Sequence, residues 1–278
     1  MAGKVAYFGP AGTFTEAAAL RHAPNSELVA CPSIGAVAAA VVAGEADEGV
    51  VPIENSLQGS VTDTLDQLIH DSTLFIRQEL VLPIEHCLLA RPGTRKEDVT
   101  VIYSHPQALG QCRGYLESHF PKAAVVAALS TAAAAEQLQS SQENAAAIGT
   151  LRAAELYGAQ VLVRGIQDNP SNATRFVVLA HADHPPTGHD KTSLCFSFDA
   201  DRPGLLYMVM GEFAEQNINL AKIESRPTRQ SLGRYIFLID LDGHREDPLV
   251  KEAIEHLRSQ ASMLKIFGSY PNHAAGSG

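Results

Sequence analysis

The sequence predicts an α/β fold in two parts, a larger region built on parallel sheets and a smaller region with a ferredoxin-like order of elements. Three observations support this prediction. Apolar runs in the first 180 residues lead through a turn into alanine-rich helices. A stretch at residues 180–192, rich in Pro, His, Asp and Gly, interrupts that pattern and predicts a linker. After it, the chain follows the order strand, helix, strand, strand, helix, strand within about 80 residues.

The elements of the first region begin with a buried strand at residues 4–8 and a turn at residues 9–12. Thr13 followed by Glu16 forms a capping box, which predicts the start of a helix. The same unit recurs at residues 28–31 with Ser33 and at residues 124–129 with Ser130-Thr131. In parallel α/β sheets such helix N-termini face the crevice at the carboxyl ends of the strands, which favours small anions.

The elements of the second region begin at residues 194–198, where alternating apolar and polar residues predict a half-buried strand. A helix follows, and then two strands flank a turn predicted at residues 230–233. Asp247-Pro248 predicts the start of a second helix. Its buried face is formed by the residues at i, i+3, i+4 and i+7, which are Val250, Ala253, Ile254 and Leu257. A strand at residues 263–269 closes the set, and the tail at residues 271–278 is predicted to be disordered.

Composition and charge exclude several function classes. The formal net charge is -10, the sequence pI is about 5.5 and no basic run occurs, so we expect no nucleic-acid partner. Residues 1–20 contain neither a signal-peptide pattern nor a membrane-spanning apolar stretch, so we expect a cytoplasmic protein with no membrane partner. The isolated cysteines are predicted to be reduced packing residues; they are Cys31, Cys87, Cys112 and Cys195.

Motifs for metals and nucleotide cofactors are absent from the sequence. The eleven histidines are scattered, with no HExxH pattern and no Cys/His cluster. Gly9 and Gly12 do not complete a GxGxxG motif, and no P-loop motif occurs. We therefore predict that the protein uses neither a metal nor a cofactor.

Two polar segments stand where apolar strands are predicted to end. Glu54-Asn55-Ser56 follows one apolar run. Ser104-His105-Pro106-Gln107 follows another, with Gln111 about one helical turn later. α/β proteins place ligand contacts in such loops. Local explanations remain open: Asn55 and Ser56 can close a turn, Ser104 can cap a helix, and His105 can cap or pack.

A third polar segment, NPSNA, precedes Thr174-Arg175 and the apolar run FVVLA. Asn172-Ala173-Thr174 fits the glycosylation sequon, but a cytoplasmic chain does not meet the glycosylation machinery. Arg175 has a planar fork of donors suited to a carboxylate, and Thr174 has a hydroxyl that can donate or relay a proton. For Arg175, a surface ion pair remains the alternative.

Five segments together indicate a family. GPAGTFTEAA, VPIENSLQGSV, SHPQALGQC, STAAA and NATRF occur in the order found in the monofunctional prephenate dehydratases, which the chain resembles. Residues 203–227 resemble the regulatory ACT domain of that family. The resemblance implies a two-lobed catalytic domain, like a type II periplasmic binding protein, followed by a βαββαβ ACT domain. The implied bounds are residues 1–182 for the catalytic domain (lobe 1 at about 1–80 and 165–182, lobe 2 at about 81–164) and residues 191–270 for the ACT domain.

The same resemblance implies a lyase of L-phenylalanine biosynthesis, which removes carbon dioxide and water from prephenate to give phenylpyruvate. Aromatisation drives this reaction, so the enzyme need only hold the dianion and help hydroxide leave. Thr174 is then the catalytic proton donor, and Arg175 holds a carboxylate. The implied substrate-binding residues are Gly12, Thr13, Glu54, Asn55, Ser56, Ser104, Gln107, Gln111, Ser130, Thr131 and Phe176. Some members carry glutamate where this chain has Leu129, so no carboxylate role is assigned there.

Resemblance to the ACT domain also implies assembly and control by L-phenylalanine. Two copies are expected to pair across a two-fold axis as a homodimer, or as a homotetramer built from two dimers. The residues implied for the phenylalanine site are Gly204, Asn217, Leu220, Glu224, Ser225, Arg226 and Pro227. Two alternatives remain open: an arogenate dehydratase, which performs the same elimination on the aminated substrate, and a cytoplasmic amino-acid sensor without turnover.

Overall fold

The computed structural model describes residues 3–199, 202–228 and 234–273. The turn predicted at residues 230–233 lies outside the described residues, as do residues 274–278 of the tail. The chain divides into two compact units. The first unit contains Met1–Thr62 and Val81–Phe176, and the second contains Asp63–Leu80 and Val177–Gly278.

Strands and short helices alternate along the first 180 residues. The strands are β1 (Lys4–Phe8), β2 (Glu27–Cys31), β3 (Glu48–Asn55), β4 (Gly59–Ser60), β5 (Phe75–Pro83), β6 (Cys87–Ala90), β7 (Val101–Ser104), β8 (Ala124–Ala127), β9 (Ala145–Gly149), β10 (Gln160–Arg164) and β11 (Ala173–Ala180). The helices are α1 (Phe14–His22), α2 (Ile34–Val42), α3 (Thr62–Asp66), α4 (Pro106–Gln111), α5 (Arg113–His119), α6 (Thr131–Ser140) and α7 (Leu151–Tyr157), with a π-helical turn at Gln67–Asp71 and a 3₁₀ turn at Lys96–Asp98.

These strands form two sheets. The first has the order β2-β1-β3-β11-β5, with β4 paired to β3, and β1 runs parallel to β2 and β3. The second has the order β10-β6-β9-β7-β8; β7 is parallel to β8 and β9, whereas β6 is antiparallel to β9 and β10. The α/β class and the two lobes are confirmed. The second sheet is mixed rather than parallel, because β6, which enters from a strand of the first sheet, lies between β9 and β10 and runs antiparallel to both.

Small residues bring the helices of the first unit close to its strands. All residues of β9, with the sequence AAAIG, are buried. Ala134 and Ala135 of α6 lie in the same core cluster as Ala147 of this strand. A Cβ added to Gly149 would meet Leu89 Cδ1 at 2.8 Å and the carbonyl oxygen of Thr131 at 3.6 Å. The start of α6 is therefore packed against the carboxyl end of β9.

The second unit contains the ferredoxin-like region. Its elements are β12 (Asp190–Ser197), α8 (Leu205–Glu215), β13 (Leu220–Pro227), β14 (Tyr235–Asp242), α9 (Pro248–Gln260) and β15 (Met263–Pro271). The antiparallel sheet has the order β13-β14-β12-β15, which confirms the predicted arrangement. The predicted face of α9 is also confirmed, because Val250, Ala253, Ile254 and Leu257 are all buried. Within the described residues, no helix has the length and apolar character needed to cross a membrane.

β12 is buried on both faces, so the prediction of a half-buried strand is wrong. One face packs against α8 and α9. Cys195 points to the other face and is also fully buried. There, Lys265 lies opposite Cys195 on β15 and donates to the carbonyl oxygens of Ile69 and Ser72, at 3.3 and 2.8 Å. A segment about 120 residues earlier in the chain thus covers the face that the local alternation leaves to solvent.

Gly268 of β15 marks the closest approach of that earlier segment to the sheet. Its φ is +147°, and a Cβ added there would overlap the backbone of Ile76. Only glycine combines this backbone conformation with so close a contact.

Candidate active site

A cavity of about 520 Å³ lies in the first unit. Its walls come from the carboxyl ends of β1 and β3, the residues that follow β7 and β8, and the start of β11. The first turns of α1, α4 and α6 complete it. This is the edge of the sheets at which the sequence predicts ligand contacts.

Three helix N-caps line the cavity. Thr13 Oγ1 accepts from the backbone N–H of Glu16 at 3.4 Å, and Ser130 Oγ accepts from that of Ala133 at 2.9 Å. His105 Nδ1 accepts from the N–H of Gln107 at 3.2 Å. The remaining N–H groups of each first turn have no partner within their helix and create a positive potential at its N-terminus. The predicted caps at positions 13 and 130 are confirmed, and His105 rather than Ser104 caps α4.

The cavity contains no charged side chain among the described residues that line it. Its polar groups are hydroxyls, carboxamides and two imidazoles, which belong to Thr13, Thr15, Asn55, His86, His105, Gln107, Gln111, Ser130, Thr131 and Thr174. A small anion bound there would therefore be held by helix N-termini and neutral donors.

Thr174 is held in place by Asn55. Asn55 Nδ2 donates to Thr174 Oγ1 at 2.9 Å, and Asn55 Oδ1 accepts from the backbone N–H groups of Leu57 and Gln58, at 3.0 and 3.2 Å. The two backbone donors fix the orientation of the amide, so its nitrogen must face Thr174. The Thr174 oxygen therefore accepts from Asn55, and its own proton can be donated to a group in the cavity.

Hydrogen bonds also connect Asn55 to three further polar side chains, which are Asn172, Gln111 and His86. The Asn55 nitrogen also donates to Asn172 Oδ1 at 2.8 Å and to the carbonyl of Ala173 at 3.1 Å, so its two hydrogens are shared among three acceptors. Asn172 Nδ2 donates to Gln111 Oε1 at 3.1 Å, and His86 Nε2 lies 2.8 Å from the same oxygen. Burial lowers the pKa of His86, although its hydrogen bond to Gln111 acts in the opposite direction. The sequon asparagine, Asn172, is thus buried inside a hydrogen-bond network.

His86 and the side chain of Asn172 are absent from the sequence-based site. The sequence did contain a pattern that points to His86. Glu85-His86 directly precedes the buried strand β6, and the polar segments that were predicted to bind ligand also lie next to apolar strands. For Asn172 the sequence offered only the sequon. Its partner Asn55 lies 117 positions away, which no local pattern records.

Arg175 and Glu54 form an ion pair away from the cavity wall. Arg175 Nη2 lies 3.2 Å from Glu54 Oε2, and the two side chains are 12% and 33% exposed. Consecutive strand residues point to opposite faces, so Arg175 points away from the face shared by Thr174 and Phe176. Arg175 does not line the cavity in this geometry, and its role with a substrate carboxylate stays a prediction. The alternative of an ion pair agrees with the structure, although Arg175 is mostly buried.

Predicted site residues therefore fall into two groups. Those that line the cavity are Thr13, Asn55, Gln107, Gln111, Ser130, Thr131, Thr174 and Phe176. Those that do not line it are Gly12, Glu54, Ser56, Ser104 and Arg175. The chemical roles assigned to all of them remain predictions.

Three residues of the second group have structural contacts. Ser104 Oγ is fully buried and donates to the carbonyl of Ile148 at 2.8 Å. Ser56 Oγ accepts from the N–H of Ala173 at 3.0 Å. Gly12 has a φ of +87°, and its carbonyl accepts from Thr150 Oγ1 at 2.7 Å. These contacts join the loops around the cavity, and the side chains do not reach into it.

The residues predicted for phenylalanine binding lie in the second unit. Gly204 is the N-cap of α8, with a φ of +91°, and Asn217 has a left-handed φ of 55°. Leu220 and residues 224–227 belong to β13, which ends the four-stranded sheet. Within the same unit, Arg226 Nη2 lies 3.3 Å from Asp66 Oδ1, and both side chains are largely buried.

Comparison with protein families gives two matches. Residues 5–184 match the family described as prephenate dehydratase, and residues 200–258 match the ACT domain. The bifunctional chorismate mutase/prephenate dehydratase of Pseudomonas aeruginosa is 43% identical over 271 residues, which cover 96% of this chain and 73% of that protein.

Two solved structures are similar over nearly the whole chain. A prephenate dehydratase from Arthrobacter aurescens in complex with L-Phe has a TM-score of 0.90 and 38% identity, covering 98% of this chain and 90% of that one. GqqA, described as a novel type of quorum quenching acylase, has a TM-score of 0.88 and 31% identity, covering 98% and 99%. The same fold therefore occurs in proteins with different described activities. The activity of this chain has to be argued from the residues of its site and not from the fold.

Proposed function

The chain belongs to the prephenate dehydratase family, and we propose that its cavity converts prephenate to phenylpyruvate under control by L-phenylalanine at the ACT domain. One observation carries this proposal: the hydrogen bond of 2.9 Å from Asn55 Nδ2 to Thr174 Oγ1. It occupies the Thr174 oxygen as an acceptor, so the hydroxyl proton is directed to another partner. A leaving hydroxyl in the cavity is such a partner.

The reaction needs little chemistry from the protein. One carboxylate leaves as carbon dioxide, and its bonding pair moves into the ring. The ring double bonds shift, the C–O bond breaks, and hydroxide departs. In the proposal Thr174 donates its proton as the C–O bond breaks, so that water leaves, and its oxygen regains a proton from solvent afterwards. Positioned proton donation contributes about 10²–10⁴-fold in rate.

Helix N-termini hold the substrate carboxylates in this proposal. α1 and α6 both begin at the cavity wall, and the hydroxyls of Thr13, Ser130 and Thr131 are beside them. This replaces the direct role of Arg175 that the motif implied. In this proposal Arg175 acts indirectly: it pairs with Glu54, the residue directly before Asn55, and so helps to fix the position of that part of β3. Donors fixed by the fold cost no reorganisation as charge moves during the reaction.

The test is direct assay of the purified chain with prephenate, following phenylpyruvate absorbance with and without L-phenylalanine. We expect turnover that phenylalanine lowers, and turnover about 10²–10⁴-fold slower in the Thr174→Val variant. Binding of prephenate without phenylpyruvate formation would instead support the amino-acid sensor.

Arogenate dehydratase is the second candidate, because its substrate differs from prephenate only where an amine replaces the keto group. The described wall has no carboxylate that would pair with that ammonium group. This observation favours prephenate. Side-by-side values of kcat/KM for the two substrates decide the question, and a higher value for arogenate would reverse the assignment.

The proposal also covers domain limits, assembly and compartment. We assign residues 1–182 to catalysis and residues 191–270 to regulation, supported by the family matches at residues 5–184 and 200–258. Pairing through the ACT domain into a homodimer, or a homotetramer of two dimers, is checked by sedimentation with and without phenylalanine. A cytoplasmic location is supported by the free, buried thiols of the four cysteines.

A further inference from the structure

A chain of hydrogen bonds leads from a buried histidine to the proposed catalytic hydroxyl. His86 contacts Gln111 Oε1, which also accepts from Asn172. Asn172 in turn accepts from Asn55, and Asn55 donates to Thr174. The five side chains come from four distant parts of the sequence, and the structure brings them together at one wall of the cavity.

The direction of every hydrogen bond in this series can be worked out from the Asn55 end. Two backbone N–H groups after β3 donate to Asn55 Oδ1, so its nitrogen faces three acceptors, which are Asn172 Oδ1, the carbonyl of Ala173 and Thr174 Oγ1. Asn172 then presents its oxygen to Asn55 and its nitrogen to Gln111. Gln111 presents its oxygen to both partners. Because that oxygen can only accept, His86 must donate from Nε2.

His86 is thereby held in one tautomer. It is only 3% exposed, and burial favours the neutral ring. With the proton on Nε2, Nδ1 keeps its lone pair, and Nδ1 has no hydrogen-bond partner among the described residues. Phe14 packs edge-on against the ring, with the ring centroids 5.6 Å apart. The ring therefore acts as a fixed donor to Gln111.

We propose that His86 and Asn172 are positioning residues for the dehydration, an inference that rests on the proposed function. The backbone N–H groups of Leu57 and Gln58 orient the Asn55 amide. His86, through Gln111, holds the oxygen of Asn172 towards Asn55, and this contact keeps the Asn55 amide at the position from which it donates to Thr174. Without the His86 donor and the contact of Asn172 with Gln111, the Asn172 amide would be free to turn its nitrogen towards Asn55, and the Asn55 amide would shift away from Thr174. The departing hydroxyl would then lose its oriented proton donor.

Two variants of His86 separate a donor role from a packing role. His86→Phe keeps the aromatic ring and removes the donor; we expect kcat to fall about 10- to 100-fold while KM changes by less than about threefold. His86→Gln places an amide N–H near the former Nε2 position and should restore kcat to within about fivefold of the wild type. His119→Phe, an exposed histidine outside the cavity, is the matched control. Thermal melting establishes that each variant is folded.

A double-mutant cycle tests whether His86 and Asn172 act as one unit. Asn172→Asp removes the donor to Gln111 at nearly constant volume. Combined with His86→Phe, it should lower kcat no further than the slower single variant does. Losses that multiply would overturn the proposal, as would a folded His86→Phe variant with unchanged kcat. Equal losses in His86→Phe and His86→Gln would assign an acid–base role instead.

Nitrogen NMR of the wild type gives a readout that does not depend on activity. We expect a protonated Nε2 and an unprotonated Nδ1 on His86. The opposite tautomer would overturn the directional argument. If the wild type forms no phenylpyruvate, the proposed function fails; if it does and the folded variants match it, only the positioning roles fail.

Discussion

The guanidinium of Arg175 lies 3.2 Å from the carboxylate of Glu54, while its neighbour Thr174 lines the cavity. The two adjacent residues of the sequence motif therefore have different surroundings. Glu54 precedes Asn55, which donates to Thr174. Two consecutive residues of β3 thus hold two consecutive residues of β11, one pair by charge and the other by a hydrogen bond.

The first prediction concerns Arg175. Arg175→Met leaves Glu54 without this partner and should lower the free energy of unfolding by about 1–3 kcal/mol, less than for a fully buried pair because Glu54 is one-third exposed. KM for prephenate should change by less than about threefold. Glu54→Gln in the same chain should recover part of the stability. A KM that rises more than about tenfold at unchanged stability would instead mean that Arg175 binds the substrate.

The second prediction concerns the hydroxyl of Thr174. Thr174→Ser keeps a proton donor that Asn55 can orient, so kcat should stay within about tenfold of the wild type, whereas Thr174→Val should lose about 10²–10⁴-fold. Steady-state kinetics with prephenate measures both. Thr100→Val, outside the cavity, is the control for loss of a threonine hydroxyl. A Val variant as active as the wild type would remove Thr174 from the mechanism.

The third prediction concerns ionic strength. The chain carries a net charge of -10, and the described wall of the cavity has no cationic side chain. Long-range repulsion should therefore slow the approach of a dianion, and salt should screen it. We expect kcat/KM to rise about two- to threefold between about 20 mM and 300 mM NaCl. KCl should give the same result, and a decrease would indicate steering by cationic groups.

A fourth prediction links Asp66 to regulation. Asp66 pairs with Arg226, which we assign to the phenylalanine site, and fixes the position of its guanidinium. Asp66→Asn should raise the half-maximal phenylalanine concentration at least about threefold and leave the rate without phenylalanine within about twofold. Asp63→Asn, an exposed acid on the same helix, is the control. An unchanged phenylalanine response in Asp66→Asn would separate this ion pair from regulation.

The fifth prediction concerns the buried thiols. Burial raises the pKa of Cys87 to about 11 and those of Cys112 and Cys195 to about 12. At about pH 8 a thiol reagent should therefore react with none of these three in the native protein, but with all four cysteines after unfolding. The unfolded thiols ionise nearer pH 9, so the free energy of unfolding should fall as pH rises from about 9 towards 12. Rapid native labelling at Cys112 or Cys195 would contradict the burial.

Several features were predictable because they depend on residues close together in the sequence. A hydroxyl accepts an N–H three positions later, so the caps Thr13, Ser33 and Ser130 follow from local geometry. The buried face of α9 follows from its 3.6-residue period in the same way. Strand alternation could also have separated Thr174 from Arg175, since the period of two places neighbours on opposite faces.

The sequence by itself determined the order of elements, the helix starts and the edge of the sheets at which polar residues gather. Only the tertiary structure decided which of these residues meet. Asn55 reaches Asn172 across 117 positions, His86 reaches Gln111 across 25, and the segment around Ile69 buries the second face of β12. Local periodicity determines the face of a helix or strand on which a side chain lies. The residue that it contacts there depends on how elements distant in the sequence pack together.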